Sequence, residues 1–244
     1  MSDRFFVDDF ASERVELNDA ESHHALRALR LEIGDSVILF DGKGREAQAT
    51  IAELGKKRIW FQISCITERS RELPGDLVIA SALPKAERQR FLIEKLTEIG
   101  VHRFIPLVTE YSVVRPGNQH LEKFQRYTIE ACKQCRRNHL MAFESAGTLA
   151  TVLRCFADYA CFLLHPSGSS WSDMLWSSTH SELNFLKTLF LIGPEGGFAD
   201  QELQVARENG CQIISLGQTI LRIETAAIAI AANMATFLQR TDSD

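Results

Sequence analysis

The sequence predicts an α/β protein with a small β-rich N-terminal unit followed by a larger unit built on a mostly parallel sheet. Two observations support this fold class. Before residue 73 short apolar runs are separated by turns, whereas after it apolar runs alternate with helix-length segments. The proline and glycine of Leu73-Pro74-Gly75-Asp76 interrupt the chain between the two patterns. We therefore predict domains at residues 1–72 and 73–244.

The N-terminal unit has the pattern of a compact β-barrel with one helix. Asn18 or Asp19 can cap a helix whose apolar face ends at Gly34. The other apolar runs are short and bounded by glycine-containing turns, which is typical of strands. The predicted strands are residues 5–7, 37–40, 47–54 and 58–63.

The C-terminal unit alternates predicted strands with predicted helices, as in sheets whose parallel strands are connected by helices. The strands are expected at residues 77–83, 104–108, 159–164, 189–192 and 212–215, and the helices at residues 86–99, 121–136 and 223–238. Residues 167–187 lack clear periodicity, so a surface loop or an irregular helix is expected there.

Composition indicates a soluble cytoplasmic protein. The 244 residues are 45% hydrophobic and 24% charged, with a net charge of −5. No apolar run approaches the ~18 residues of a membrane span, the first residues do not resemble a signal peptide, and the six cysteines are scattered.

The charge is unevenly distributed along the chain. Residues 81–140 contain 11 Lys and Arg against 6 Asp and Glu, whereas residues 141–244 contain 5 against 11. The basic region is either a footprint for an anionic polymer or a solvated helix face.

Two apolar runs end in glycine. Residues 189–192 lead into Gly193-Pro194-Glu195-Gly196-Gly197, and residues 212–216 lead into Gly217. Glycine has no Cβ, so backbone at such strand ends can approach a flat ligand closely. Neither segment matches a P-loop or the dinucleotide fingerprint. The pattern predicts a nucleoside-type pocket at the carboxyl ends of parallel strands, although a glycine turn can also be a turn and nothing more.

Other candidate residues are less specific. Arg222 and Glu224 lie between apolar residues, so each either faces a site or pairs with the other. Cys132 and Cys135, with His139, have metal-like spacing, but no second Cys or His pair follows at zinc-finger distance, so no metal site is expected. No Ser-His-Asp constellation is evident.

The two glycine-ended segments near the C-terminus resemble motifs of a known family. Leu191 to Phe198 together with Leu216 to Ala226 is similar to the paired C-terminal motifs of the RsmE-type ribosomal RNA uridine N3-methyltransferases, of the knotted SPOUT class. The resemblance extends over essentially the whole chain. Further matching segments are Lys85-x-x-Arg88, Glu94 to Val101, Tyr111 to Arg115, Glu130 to Arg136 and, in a PUA-like N-terminal unit, His24 to Arg30 with Gly34-Asp35 and Asp41-Gly42.

The resemblance implies S-adenosylmethionine as cofactor, a trefoil knot, a homodimer, and 16S ribosomal RNA or the small ribosomal subunit as partner. Arg222 and Glu224 would be catalytic, Arg222 stabilising the uracil anion and Glu224 positioning groups or accepting a proton. The residues that would bind RNA are Arg27, Arg30, Lys85, Arg88, Arg115 and Arg136. Those that would surround the cofactor are Leu164, His165, Ile192, Gly193, Pro194, Glu195, Gly196, Gly197, Leu216, Gly217, Leu221, Ile223, Thr225 and Ala226.

The chain departs from the family pattern at Thr219, where the family usually has an arginine, and at His139-Leu140-Met141, which lacks the proline that commonly follows the preceding helix. Two alternatives therefore stay open. One is a SPOUT enzyme acting on a ribose 2′-hydroxyl or a transfer-RNA base. The other is a non-catalytic RNA-binding factor of ribosome assembly.

Overall fold

A computed structural model of the chain describes residues 3–10, 12–17, 21–22, 25, 31–56, 58–176 and 185–241. The chain forms two compact units, Met1–Glu72 with Ile129–Leu140 and Leu73–Thr128 with Met141–Asp244. The helix predicted between Asn18 and Gly34 lies mostly outside the described residues.

The first unit contains one five-stranded sheet in the order β1-β3-β4-β5-β2. Its described strands are β1 (Arg4–Phe6), β2 (Arg14–Glu16), β3 (Ser36–Phe40), β4 (Arg45–Leu54) and β5 (Ile59–Glu68). β1 and β3 are parallel, and the other pairs are antiparallel. Phe5, Leu39 and Phe61 are among the buried side chains of its core. The four strands predicted here are confirmed; β2 is an additional strand.

Residues 129–140 belong to this first unit although they are distant from it in sequence. Arg137 is buried and pairs with Glu72, its Nε donating to Oε1 at 3.0 Å. Cys132 packs with Phe6 and Phe40. A hydrogen bond with Cys135 and burial raise the pKa of the Cys132 thiol. A buried protonated thiol is a packing group and not a ready metal ligand.

The second unit is built on a parallel sheet in the order β12-β10-β11-β6-β7-β8, with β9 also paired to β7. The strands are β6 (Asp76–Ser81), β7 (Arg103–Val108), β8 (Ala142–Phe143), β9 (Gly147–Thr148), β10 (Ala160–Ser170), β11 (Lys187–Ile192) and β12 (Gln212–Ser215). All its described strand pairs are parallel, so their carboxyl ends lie at one edge of the sheet. The predicted strands are confirmed, but β10 continues past the expected stop at His165.

Six helices are described: α1 (Ala86–Ile99), α2 (Asn118–Cys135), α3 (Leu149–Cys155), α4 (Trp171–Trp176), α5 (Asp200–Glu208) and α6 (Ile223–Thr241). The three predicted helices correspond to α1, α2 and α6. Helices α3 and α5 were not predicted from the sequence, and α4 lies in the segment expected to be a loop or an irregular helix. No helix in the described ranges is long and apolar enough to cross a membrane.

Helices cover both faces of the parallel sheet. On β6, Leu77 and Ile79 contribute to one buried cluster, whereas Val78 and Ala80 contribute to the other. The first cluster includes side chains of α1 and α6, and the second includes side chains of α3 and α5. Because both faces are buried, the strands are continuous apolar runs rather than alternating ones.

Helices α1 and α6 pack against each other. The apolar face of α1 includes Leu92, Ile93 and Leu96, which recur at helical spacing. Gly100 ends the helix in the left-handed region, with φ of 106°. α6 is rich in alanine, and Ala227, Ile230 and other buried residues face the same core. Small side chains allow its backbone to lie close to α1, which brings the first turns of the two helices together.

Candidate active site

A cavity of about 280 Å³ lies where the parallel strands β10, β11 and β12 end. Its wall combines strand ends, the turns that follow them and the start of α6. The lining residues are Leu164, His165, Pro166, Ile192, Gly193, Pro194, Glu195, Gly196, Gly197, Phe198, Ile214, Ser215, Leu216, Gly217, Thr219, Ile220, Leu221, Ile223 and Ala226.

The glycine turn after β11 forms one wall. Gly197 N–H donates to Pro194 O at 2.8 Å, which closes a tight turn, and Gly197 has φ of 76°. A Cβ on Gly193 would stand 2.8 Å from Cε2 of the buried Phe198. Glycine at 193 therefore lets the ring of Phe198 fold back against the strand end.

The end of β12 forms a second wall. Gly217 N–H donates to Ser215 Oγ at 3.3 Å, and the same hydroxyl donates to Gly217 O at 3.0 Å. Gly217 has φ of 143°, and an added Cβ there would meet no heavy atom within 4 Å. The two side-chain hydrogen bonds hold a turn whose surface is bare backbone.

The third wall comes from an irregularity in β10. Leu164 and Ser169 both pair with Ile214 of β12, so the residues between them leave the regular ladder. The chain comes back against β12 at Gly168, where an added Cβ would lie 2.5 Å from the carbonyl carbon of Ile214. His165 lies in this bulge, where its Nδ1 accepts from Ser167 N–H at 3.2 Å. The bulge turns His165 and Pro166 into the cavity wall.

The chemistry of the wall favours a flat, uncharged ring system. Most lining side chains are aliphatic, and glycines supply open backbone. Among the described residues, no lysine or arginine side chain lines the cavity. A site for the phosphates of a nucleotide normally supplies such cations or a phosphate-binding loop. The cavity thus suits a nucleoside without phosphates.

The sequence motifs predicted most of the residues of this wall. Every predicted cofactor residue lines the cavity except Thr225, which is exposed on the first turn of α6. The wall also contains six residues that were not predicted, namely Pro166, Phe198, Ile214, Ser215, Thr219 and Ile220. Each of the six lies within two residues of a predicted one in sequence, so widening each motif by two residues would have found them.

The two predicted catalytic residues have different environments, and neither lines the cavity. Arg222 is exposed between the lining residues Leu221 and Ile223, and in the described part of the chain it has no ion-pair partner. Glu224 is 6% exposed. The alternative that Arg222 and Glu224 pair with each other is wrong.

Glu224 pairs instead with Arg88 of α1, whose Nε lies 3.6 Å from Glu224 Oε1. The other oxygen, Oε2, is buried without a hydrogen-bond partner among the described residues. The pair links the first turn of α1 to the first turn of α6. Because α6 begins at the cavity wall, this ion pair connects a residue predicted to bind RNA with the cofactor side of the site.

The remaining predicted RNA-binding residues lie in several places. Lys85 and Arg115 are exposed in the second unit. Arg136 is exposed in the first unit, with φ of 68° at the end of α2. Arg27 and Arg30 lie outside the described residues.

No metal centre accompanies these residues in the described chain. No group of three or more His, Cys, Asp or Glu is arranged to hold a metal ion in the ranges that the structure covers. Cys132 and Cys135 lie in the last turn of α2, and His139 follows that helix.

Comparison with known proteins identifies the family. Residues 71–235 match the RNA methyltransferase domain family, and residues 17–64 match the RNA methyltransferase PUA domain family. A relative from Synechocystis sp., named ribosomal RNA small subunit methyltransferase E, is 31% identical over 92% of this chain and 74% of its own. The chain belongs to the ribosomal RNA small subunit methyltransferase E family.

Solved structures of similar proteins extend the comparison to the fold. The family member from Neisseria gonorrhoeae, bound to S-adenosyl methionine, is 28% identical with a TM-score of 0.86, over 97% of this chain and 98% of its own. A methyltransferase from Legionella pneumophila, in complex with the same cofactor, has 28% identity and a TM-score of 0.87 over the same shares.

The fold class predicted for this family member is confirmed: it is α/β, with a PUA-like N-terminal domain and a mostly parallel sheet of the SPOUT type. The trefoil knot stays a prediction.

Proposed function

We propose that the chain transfers a methyl group from S-adenosylmethionine to N3 of a specific uridine in 16S ribosomal RNA. The observation that carries the proposal is the apolar cavity at three parallel strand ends, which no described lysine or arginine side chain lines, in a chain of the methyltransferase E family. The proposed setting is the cytoplasm, with a homodimer acting on RNA or the small ribosomal subunit.

The residues of the cavity fit this cofactor. Aliphatic side chains suit its adenine ring, and Gly197 and Gly217 leave space that a Cβ would occupy. We place the cofactor against the predicted wall residues, without Thr225. Residues 1–72 would act as the RNA-binding domain, and residues 73–244 as the methyltransferase domain threaded into a trefoil knot.

S-adenosylmethionine, when bound, supplies an electrophilic methyl group on a sulfonium. The protein has to hold the uracil in line with it and to stabilise the base as N3 loses its proton. We assign the second task to Arg222, and its exposure beside the cavity without an ion pair among the described residues supports this assignment. A guanidinium there would stabilise negative charge on a uracil oxygen.

Glu224 has a positioning role in this mechanism. Its buried carboxylate lies against Arg88 and would fix the start of α6, which carries Ile223 and Ala226 into the cavity wall. The exposed cations Lys85, Arg115 and Arg136 would bind RNA phosphates, as would Arg27 and Arg30. Arg88 would also bind phosphate, with the part of its side chain that stays exposed.

The test is methylation of 16S RNA and of small ribosomal subunits in vitro, followed by mass spectrometry of the nucleosides. The wild-type protein should produce 3-methyluridine. Arg222→Ala should lower kcat by about 10²-fold or more, the scale seen when one charge-stabilising donor is removed. Arg154→Ala is the matched control, because Arg154 is an exposed arginine of α3 outside the cavity wall.

Each alternative function has a distinct outcome. A methylated ribose, or methylation of transfer RNA, would point to another SPOUT specificity. Cofactor binding in calorimetry without any methyl transfer would favour the non-catalytic assembly factor. Normal turnover by Arg222→Ala would show that Arg222 does not stabilise the reacting base.

A further inference from the structure

The segment between β7 and α2 lies against the glycine turn of the cavity. A Cβ on Gly196 would stand 3.1 Å from Cβ of Tyr111 and 3.5 Å from its Cγ. Tyr111 therefore packs on the face of Gly196 where any other residue would carry a side chain. Gly196 is an exposed residue of the cavity wall. Tyr111 does not itself line the cavity, but its contact with Gly196 sets it at the cavity mouth.

Hydrogen bonds hold this segment in place. Glu110 N–H donates to Glu202 Oε1 at 3.1 Å, and Ala199 N–H donates to Glu202 Oε2 at 2.9 Å. One carboxylate thus joins the backbone beside Tyr111 to the start of α5, which directly follows the glycine turn. Thr109 N–H also donates to Ser112 Oγ at 2.9 Å and closes a turn around Tyr111.

Despite this fixed backbone, the Tyr111 side chain is 48% exposed. Its hydroxyl has no hydrogen-bond partner in the described part of the chain. Ile220, which lines the cavity, is 87% exposed. The mouth therefore combines a partly exposed aromatic ring on an anchored backbone with an exposed apolar side chain. Arg222 beside the cavity is an exposed cation, and so is Arg115, four residues after Tyr111 in the same segment.

Proteins bind unpaired RNA bases by stacking them on aromatic rings, with cations on the phosphates. An enzyme that modifies a base must also take it out of its stack to reach the reacting atom. We propose that Tyr111 is the platform on which the target uracil stacks at the cavity mouth. This inference rests on the proposed function, since it assumes that a base is brought to the cavity.

The test compares three substitutions at Tyr111 with wild type, using 16S RNA and saturating S-adenosylmethionine. Tyr111→Ala should lower kcat/KM for RNA by between about 5-fold and 150-fold, the effect of losing one stacked base. Tyr111→Phe keeps the ring and should stay near wild type. Tyr111→Trp should also be active, and its fluorescence should be quenched when RNA binds.

Two controls separate stacking from a structural role. Val113→Ala removes a 78% exposed apolar side chain of the same segment and should leave kcat/KM unchanged. Calorimetry with S-adenosylmethionine and gel filtration should give the same affinity and the same oligomeric state for Tyr111→Ala and wild type.

The outcomes distinguish this inference from the proposed function. A wild-type protein that transfers no methyl group overturns both. Unchanged kcat/KM for Tyr111→Ala, with an active wild type, overturns the stacking role alone. The stacking role is also overturned if Tyr111→Phe has as low a kcat/KM as Tyr111→Ala. It is overturned as well if Tyr111→Ala lowers the affinity for S-adenosylmethionine or changes the oligomeric state.

Discussion

Two glycines with nearly the same positive φ allow cofactor binding to be tested separately from stability. Gly197 has φ of 76° and Gly210 has φ of 75°, and an added Cβ would meet no heavy atom within 4 Å at either position. Gly197 lines the cavity, whereas Gly210 follows α5 and lies outside the wall. Alanine at the two positions should therefore have the same conformational cost but a different effect on binding.

The conformational cost follows from the left-handed backbone. A Cβ in this region costs roughly 1–2 kcal/mol, because it approaches the following carbonyl oxygen. For a chain of this size each kcal/mol lowers Tm by about 2–4 °C. We expect Gly197→Ala and Gly210→Ala to melt at similar temperatures, roughly 2–8 °C below wild type.

The binding effect should appear at one position only. At Gly197 the added methyl group would enter the open space beside the cavity wall, and fitting a ligand around an extra methyl costs about 1–3 kcal/mol. The affinity for S-adenosylmethionine should fall by about 5- to 150-fold for Gly197→Ala. Gly210→Ala should bind as wild type does.

Thermal melts followed by circular dichroism and titration calorimetry measure the two quantities. Equal cofactor affinities for the two variants would show that the cofactor does not approach Gly197. A large difference between their melting temperatures would show that alanine does not have the same conformational cost at the two positions.

Two further predictions concern charged and titrating groups. Arg88→Ala should destabilise the protein by about 1–2 kcal/mol in urea unfolding, because the buried Glu224 loses its partner; adding Glu224→Gln should restore part of that loss. The second concerns Tyr159, whose pKa is raised from its ordinary 10 to about 12 by burial and by a hydrogen bond to Asp76. The folded state holds this proton more tightly, so its stabilising effect is complete below pH 10 and is lost as the pH rises to 12. Tyr159→Phe should therefore lose less stability than wild type across that range.

Matched substitutions control both predictions. Arg90→Ala breaks the pair with Glu94, in which Arg90 is 61% exposed, and should cost no more than about 0.5 kcal/mol. If Arg88→Ala lost no more stability than Arg90→Ala, the burial of Glu224 would not add to the strength of its ion pair. Tyr111→Phe is the matched control, because it removes the same hydroxyl from an exposed tyrosine. If the two variants lose stability alike between pH 10 and pH 12, the hydrogen bond to Asp76 does not set the alkaline stability.

Local sequence predicted the elements that depend on short-range chemistry. Apolar runs of strand length gave β6, β7, β11 and β12, and helical spacing with Gly100 at the end gave α1. The glycines of the two turns located most of the cavity wall, because the need for bare backbone is visible in the sequence itself. The family motifs, and not periodicity, supplied the cofactor and the reaction.

Some elements gave too weak a local signal. Helix α5 begins without a side-chain cap from Ala199, and β8 has only two residues. β10 continues past His165 because the chain returns to Ile214 after its bulge. Such a return depends on a neighbouring strand, so the pattern of β10 alone predicted an earlier end.

The sequence by itself determined the α/β class, the order of most strands and helices along the chain, and the glycine turns of the cavity. Only the tertiary structure decided that Glu224 pairs with Arg88, that Tyr111 packs on Gly196 and that residues 129–140 join the first unit. Hydrophobic period and turn chemistry act over a few residues, and the sequence expresses them directly. Contacts between distant residues depend on which strands and helices become neighbours, and that order is set when the whole core packs.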